Sequence, residues 1–218
     1  MTIRLAIFDC DGTLSDGQAA VCSAMESAFA EVELPAPARH EIRRIVGLSL
    51  PNAIRHLAPD ASEAQRAAAV EAYKSAFFDA RQAGAVREPL FEGIPDLLRA
   101  LHAAGWKLAV ATGKSDRGLK STLAMHRLTD LFSSLQTADR HPSKPHPSMV
   151  EQCLADTFAQ RSGAVMIGDT VYDVEMASNA GVRSIGVSWG YHEADELLSA
   201  GAIGVANDCN ELKELLDG

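Results

Sequence analysis

The chain has 218 residues, 47% hydrophobic and 22% charged, with 20 Lys and Arg against 29 Asp and Glu for a formal net charge of −9. That length and balance suit one large domain, or a core with a smaller insert, and exclude whole-chain disorder and collagen-like or low-complexity classes. The acidic balance argues against general nucleic-acid binding, which needs clustered Lys and Arg, but leaves room for a small anion in a local basic pocket.

The first apolar run is Leu5, Ala6, Ile7 and Phe8. It is too short for a signal peptide or a membrane span, and it ends at Asp9. A short continuous apolar run bounded by turn signals predicts a strand buried on both faces. From 17 to 84 no such run occurs. Ala, Glu, Arg and Gln dominate, and Pro35, Pro37, Pro51 and Pro59 divide the stretch into helices with short turns. The longest, 62–82, is rich in helix formers and places Val70, Tyr73, Phe77 and Phe78 near helical spacing. Beyond it the pattern alternates. Helix 95–104 closes at Gly105 and strand 108–111 follows. Next come helix 115–125, strand 164–167, helix 174–180 closing at Gly181, and strand 184–187. Alternation of this kind predicts an α/β fold: a doubly wound parallel sheet built from right-handed crossovers. The expected division is a core of residues 1–16 and 85–218, with an all-helical insert at 17–84. The cysteines, at 10, 22, 153 and 209, have no metal-ligand spacing and suit reduced thiols in a cytoplasmic protein.

Chemistry-bearing residues recur just after predicted strands, where open α/β sheets bind ligands. After the first come Asp9, Cys10, Asp11, Gly12 and Thr13. Two carboxylates at i and i+2 of an extended chain point apart, but Gly12 lets the backbone turn so that both can approach one ligand. Asp9 fits a nucleophile or metal ligand, and Asp11 an acid/base. After the second strand, Thr112, Gly113, Lys114 and Ser115 offer a hydroxyl and free N–H groups, either as a phosphate cradle or as a helix N-cap. In the proline-rich stretch 141–147, Lys144 can present an ammonium to an anion, while His141 and His146 read as loop residues. After the third predicted strand, Gly168 and Asp169 precede Asp173. Two carboxylates four apart suit a hard cation, or equally an N-cap with an acidic first turn.

Together these motifs resemble the haloacid dehalogenase superfamily across nearly the whole chain. Asp9 to Leu14 matches the first motif, DxDGT(L/V). Thr112 matches the second, Lys144 before Pro145 the third, and Gly168-Asp169 with Asp173 the fourth, GDxxxD. The insert resembles the helical cap of the phosphoglycolate phosphatase-like and β-phosphoglucomutase-like subfamily. The resemblance implies a Rossmann-like core and a Mg²⁺-dependent phosphatase. Asp9 would be the nucleophile, Asp11 the acid/base, and Thr112 and Lys144 the holders of the phosphoryl group. Gly12, Thr13 and Gly113 would add phosphate contacts. Mg²⁺ would lie between Asp9, the Asp11 carbonyl and Asp169, with Asp173 in support. Members that cleave carbon–halogen bonds lack the second Asp of the first motif, which this chain keeps.

In such caps specificity comes from a loop that here matches Gly47-Leu48-Ser49. Arg43 or Arg44 would pair with a second anionic group on the substrate, and Asp16 would aid the hinge or substrate. Gly113 stands where phosphoglycolate phosphatases commonly have Asn. The expected partner is a small phosphorylated metabolite, with neither nucleic acid nor membrane involved and a monomer or homodimer as the assembly. A sugar-phosphate mutase and a non-catalytic phosphate-sensing protein are the alternative readings.

Overall fold

The computed structural model describes residues 3–217. Among them one six-stranded sheet runs in the order β3-β2-β1-β4-β5-β6, and every neighbouring pair is parallel. The strands are β1 (Leu5–Phe8), β2 (Lys107–Thr112), β3 (Phe132–Thr137), β4 (Ala164–Gly168), β5 (Arg183–Val187) and β6 (Val205–Ala206). Helices α5 (Ile94–Ala103), α6 (Asp116–Met125), α7 (Ser148–Thr157), α8 (Val171–Asn179), α9 (Ala194–Ala200) and α10 (Cys209–Asp217) alternate with them. The chain steps outward from β1 to β2 and β3, then returns to β4 on the other side of β1. That reversal opens a crevice at the carboxyl end of β1, the position where such sheets bind ligands.

Side-chain alternation along β1 explains how one four-residue strand anchors two cores. Ala6 and Phe8 join Leu97, Leu98, Leu101 and Trp106 on one face. Leu5 and Ile7 join Met149, Cys153, Met166 and Met176 on the other. Both faces are therefore dry, which is why β1 reads as unbroken apolar sequence.

Between β1 and α5 lie four helices and no strand: α1 (Gln18–Glu31), α2 (Arg39–Arg44), α3 (Leu50–Leu57) and α4 (Glu63–Gln82). They hold a separate cluster in which Met25, Phe29, Ile42 and Ile54 are buried against Val70 and Tyr73. Local sequence sets the breaks. Pro35 and Pro37 separate α1 from α2, Pro51 occupies the first turn of α3, and Pro59 follows it. Ser62 caps α4: its Oγ accepts from Gln65 N (3.2 Å) while Gln65 Oε1 accepts from Ser62 N (3.1 Å). The insert chain leaves and re-enters the core side by side, with Asp16 N donating to Pro89 O at 2.8 Å.

Two strands lie outside the predicted set. β3 lacks an apolar run because Ser134 and Gln136 on its buried face both donate to Asp156 of α7 (2.7 Å each). β6 is two residues long.

Candidate active site

Asp9 follows β1 directly, and its N–H donates to Ile167 O at 2.9 Å, which fixes it between the ends of β1 and β4. Its carboxylate is buried, with Lys144 Nζ 2.9 Å from Oδ1 and no hydrogen-bond partner at Oδ2. Gly12 turns the chain at φ +85°; a Cβ there would lie 2.1 Å from Asp169 Oδ2, so only glycine lets the two loops meet. Thr13 Oγ1 donates to Asp169 Oδ1 (2.7 Å) and the Tyr191 N–H donates to Oδ2 (3.0 Å).

Asp173, in the first turn of α8, has two duties. Its Oδ2 accepts from the N–H and hydroxyl of Thr170, closing a capping box, and its Oδ1 accepts from Lys144 Nζ at 2.6 Å. Both readings of Asp173, helix cap and member of an acidic site, are therefore realised together. The loop bearing Lys144 is pinned at several points. His141 joins Ser148 Oγ (2.7 Å) and Gln136 Oε1 (2.9 Å), and Asn179 Nδ2 donates to Pro145 O (2.9 Å).

Asp9, Asp169 and Asp173 each offer an oxygen within 4.8 Å of the others, all buried, with one ammonium among three carboxylates. The charge is unbalanced and the pKa values register it. Burial first, opposed by Lys144 and reinforced by Asp173, raises Asp9 to about 7. Burial, then the charges of Asp173 and Asp9, raise Asp169 well above the carboxylate range. Burial works against the charged form of Lys144, yet Asp173 and Asp9 outweigh it and hold the ammonium protonated. An all-oxygen donor set with excess negative charge and a bare Asp9 Oδ2 fits a hard divalent cation.

Asp11 faces the other way. Its Oδ1 accepts from Lys114 Nζ at 2.6 Å, and the same ammonium donates to Glu88 Oε1 at 2.7 Å. Glu88, from the segment returning out of the insert, is buried and also takes Arg81 of α4 (3.0 Å) and the Thr122 hydroxyl (3.0 Å). Burial alone would raise Glu88; Lys114 and Arg81 reverse that and lower it. Sequence reasoning assigned Lys114, Glu88 and Arg81 no role. Lys114 stood inside the quoted Thr112-to-Ser115 motif, so a cation beside a strand-end hydroxyl was the available signal. Glu88 carried none, because Lys114 and Thr122 are remote from it in sequence, and Arg81, seven residues before Glu88, reads as an ordinary arginine in the last turn of a helix.

Thr112 ends β2, and its Oγ1 accepts from Lys114 N at 3.3 Å. Gly113 has the Gly47 and Leu48 carbonyls 2.5 Å from where a Cβ would stand. The insert loop thus rests directly on the strand-end loop, and Ser49 N donates to Ser143 Oγ across the same seam (2.8 Å). Between insert and core lies a cavity of about 580 Å³, lined by Asp9, Asp11, Gly47, Thr112, Gly113 and Lys114 among others. Arg43 and Arg44, expected at the substrate, are exposed and absent from its lining. Arg44 instead forks onto Glu196 of the core at 2.6 and 2.8 Å, and Arg43 meets the Gln18 side-chain oxygen in that amide's favoured orientation. The physical reason is direction: both lie in the last turn of α2, on its outward face, whereas Ile42 points inward. Asp16 is exposed and absent from the cavity lining, its Oδ1 accepting from the N–H of Gln18, the first residue of α1, at 3.1 Å.

The comparisons with known proteins show the family and the fold. The chain belongs to the haloacid dehalogenase-like hydrolase family, whose model matches residues 6–187. It is 36% identical to the probable phosphatase IndB of Dickeya dadantii, over 90% of this chain and 86% of that one. It is 29% identical to a phosphoglycolate phosphatase of Vibrio vulnificus, over 99% and 95%. Among solved structures, a predicted phosphatase from Clostridium acetobutylicum superposes with a TM-score of 0.88 at 25% identity, over 100% of both chains. No helix among the described residues is long and apolar enough to cross a membrane.

Proposed function

We propose that this protein is a Mg²⁺-dependent phosphatase that hydrolyses a small-molecule phosphate monoester through an aspartyl-phosphate on Asp9. The observation that carries the reading is Asp9 itself: a buried carboxylate with one unpartnered oxygen, beside the Lys144 ammonium, opening on a cavity it shares with Asp11. A carboxylate oxygen of Asp9 attacks phosphorus, and the ester P–O bond breaks. The departing oxygen takes its proton from the Asp11 carboxyl. Asp11, now a carboxylate, removes a proton from water, whose oxygen attacks the phosphoryl group. Inorganic phosphate leaves and Asp9 is regenerated. Lys144 and Thr112 hold the transferring group, with Gly113 beside them. Gly12 and Thr13, expected as phosphate contacts, are absent from the cavity lining, the Gly12 N–H donating to Ser15 O (2.9 Å) and the Thr13 hydroxyl to Asp169. Asp9, the Asp11 carbonyl and Asp169 would hold Mg²⁺, with Asp173 in support; bound there, the ion offsets the repulsion between carboxylate and phosphate.

The helical insert, residues 17–84, acts as the cap that covers the site, on a core of residues 1–16 and 85–218. The substrate is a small phosphorylated molecule, met in the cytoplasm by a monomer or homodimer; nucleic acid and membrane have no part in the reading. The experiment is phosphate release from a panel of small phosphate esters, with and without Mg²⁺, using wild type and Asp9→Asn. Release that needs Mg²⁺ and vanishes in the variant is expected. Release that persists in Asp9→Asn would overturn the assignment of the nucleophile.

A further inference from the structure

The cavity over Asp9 is larger and more apolar than a short, charged leaving group requires. Its volume, about 580 Å³, falls in the range that encloses a drug-sized ligand. Asp9, Asp11 and Thr112 form its polar floor. Its apolar wall comes from the insert, with Met25 of α1, Leu48 and Leu50 leading into α3, and Val70, Tyr73 and Phe77 of α4, while Ser115, Arg117 and Asp139 of the core line the opposite side. The rings of Tyr73 and Phe77 stack with centroids 5.8 Å apart, so part of the wall is a continuous aromatic surface.

The cations around the cavity are already engaged. Lys114 is held between Asp11 and Glu88, and Arg81 pairs with Glu88 while lying over the Phe77 ring at 5.4 Å. At the mouth, Lys74 pairs with Glu71 (2.7 Å) and Arg117 lies over the Phe78 ring (4.5 Å). Arg44 is tied to Glu196 outside the cavity. A leaving group with its own carboxylate, as glycolate has, would enter this space without an unengaged buried cation to meet it, and a carboxylate desolvated without a partner binds poorly. An apolar body would displace water from the aromatic wall instead.

We infer that the substrate of this enzyme is a phosphate monoester whose leaving group is an apolar body of arylalkyl size, seated against Tyr73 and Phe77. The inference rests on the phosphatase reading of the same site and adds to it the class of leaving group.

The test compares 3-phenylpropyl phosphate with propyl phosphate, whose alcohols have matched acidity so that only the body differs, and adds phosphoglycolate as the ester with a charged leaving group. The corresponding 3-phenylpropyl- and propylphosphonates, which cannot turn over, are titrated calorimetrically onto the Mg²⁺-loaded and Mg²⁺-free protein. The expected result is at least about a tenfold advantage in kcat/KM, and in phosphonate affinity, for the phenylpropyl compound over the propyl one. Phosphoglycolate should be no better than propyl phosphate. Phe77→Ser should shrink the phenylpropyl-to-propyl ratio. Equal values for the two alkyl compounds, or phosphoglycolate as the best ester, would overturn the inference and leave the phosphatase reading standing. Discrimination between the phosphonates without release from any ester would uphold the ligand class and overturn the phosphatase reading.

Discussion

Lys114 Nζ lies 2.6 Å from Asp11 Oδ1, while its second carboxylate contact, Glu88 Oε1, is 2.7 Å away. One ammonium thereby links the proposed acid/base to the segment through which the chain returns from the insert. Glu88 in turn holds Arg81 of α4, so the orientation of Asp11 is connected by three ion pairs to the position of the insert.

Removing that ammonium should damage chemistry and stability separately. In Lys114→Met, Asp11 loses the partner that directs its carboxylate, and kcat/KM, which reports the step that expels the leaving group, should fall about 100-fold for alkyl phosphates. The loss should be much smaller for 4-nitrophenyl phosphate, whose leaving group needs no proton. The same variant leaves Glu88, which is 0% exposed at its side chain, with Arg81 as its remaining cation. Unfolding free energy should drop by about 3 kcal/mol, read from urea titrations. Equal kcat/KM losses for both esters would detach Lys114 from protonation of the leaving group.

The acidic trio makes a prediction readable without turnover. Three buried carboxylates share one lysine, so a divalent cation should stabilise the fold. At roughly a hundredfold excess over its Kd, Mg²⁺ should raise Tm by about 5 °C or more, measured by thermal unfolding. Asp169→Asn keeps a side-chain oxygen for Thr13 or Tyr191 but removes one charge, and should abolish the Mg²⁺-induced shift. A shift of wild-type size in that variant would place the cation elsewhere.

These groups differ in how visibly they stood in the sequence, for a physical reason. Asp9, Thr112 and Asp169 each end a strand whose two buried faces force a continuous apolar run, so the run announces the strand and its end marks the crevice. Asp173 lies within one helical turn of Asp169 and was reachable by spacing. Lys144 came from a proline-rich loop and needed the family resemblance. Glu88 depends on Lys114, 26 residues away in the chain, which no local pattern encodes; Arg81 is only seven residues from Glu88, but the chain between them turns out of α4. β3 was missed because its buried face carries Ser134 and Gln136, whose bonds to Asp156 take the place of apolar packing. Arg43 and Arg44 were misplaced because charge and spacing specify a helix but leave open which side of it turns toward the core.

Gly113 tests whether the seam between insert and core matters. A side chain there would meet the Gly47 and Leu48 carbonyls at 2.5 Å, and those atoms are backbone, unable to rotate aside. Gly113→Asn, which restores the residue common in phosphoglycolate phosphatases, should therefore push the 45–50 loop away rather than add a contact. The expected outcome is faster proteolysis in that loop and a kcat/KM reduced by about tenfold or more. Unchanged proteolysis with full activity would show that the loop can move aside freely.

The same seam should loosen in acid. Arg44 forks onto Glu196, and His192 bridges the two sides: its Nδ1 accepts from Val171 N (3.2 Å), leaving Nε2–H to donate to Arg44 O (3.0 Å). That arrangement requires neutral His192, whose pKa burial lowers. The Arg44 hydrogen bonds, then that from the Glu193 backbone, lower Glu196 from 4.5 to about 2. Both folded-state pKa values lie below the unfolded ones. Each stabilising contribution is therefore complete above the unfolded value, near 6.5 for His192 and 4.5 for Glu196, and is lost as pH falls through the folded value. Amide exchange in α2, corrected for its intrinsic rate, should accelerate as pH drops from 7 toward 3. In Glu196→Gln the exchange at pH 7 should already be faster, by no more than about fivefold because the pair is solvent-exposed, and the acceleration below pH 4.5 should be blunted. An α2 whose protection is the same in wild type and Glu196→Gln at every pH would mean that the Arg44–Glu196 pair does not help hold the insert to the core.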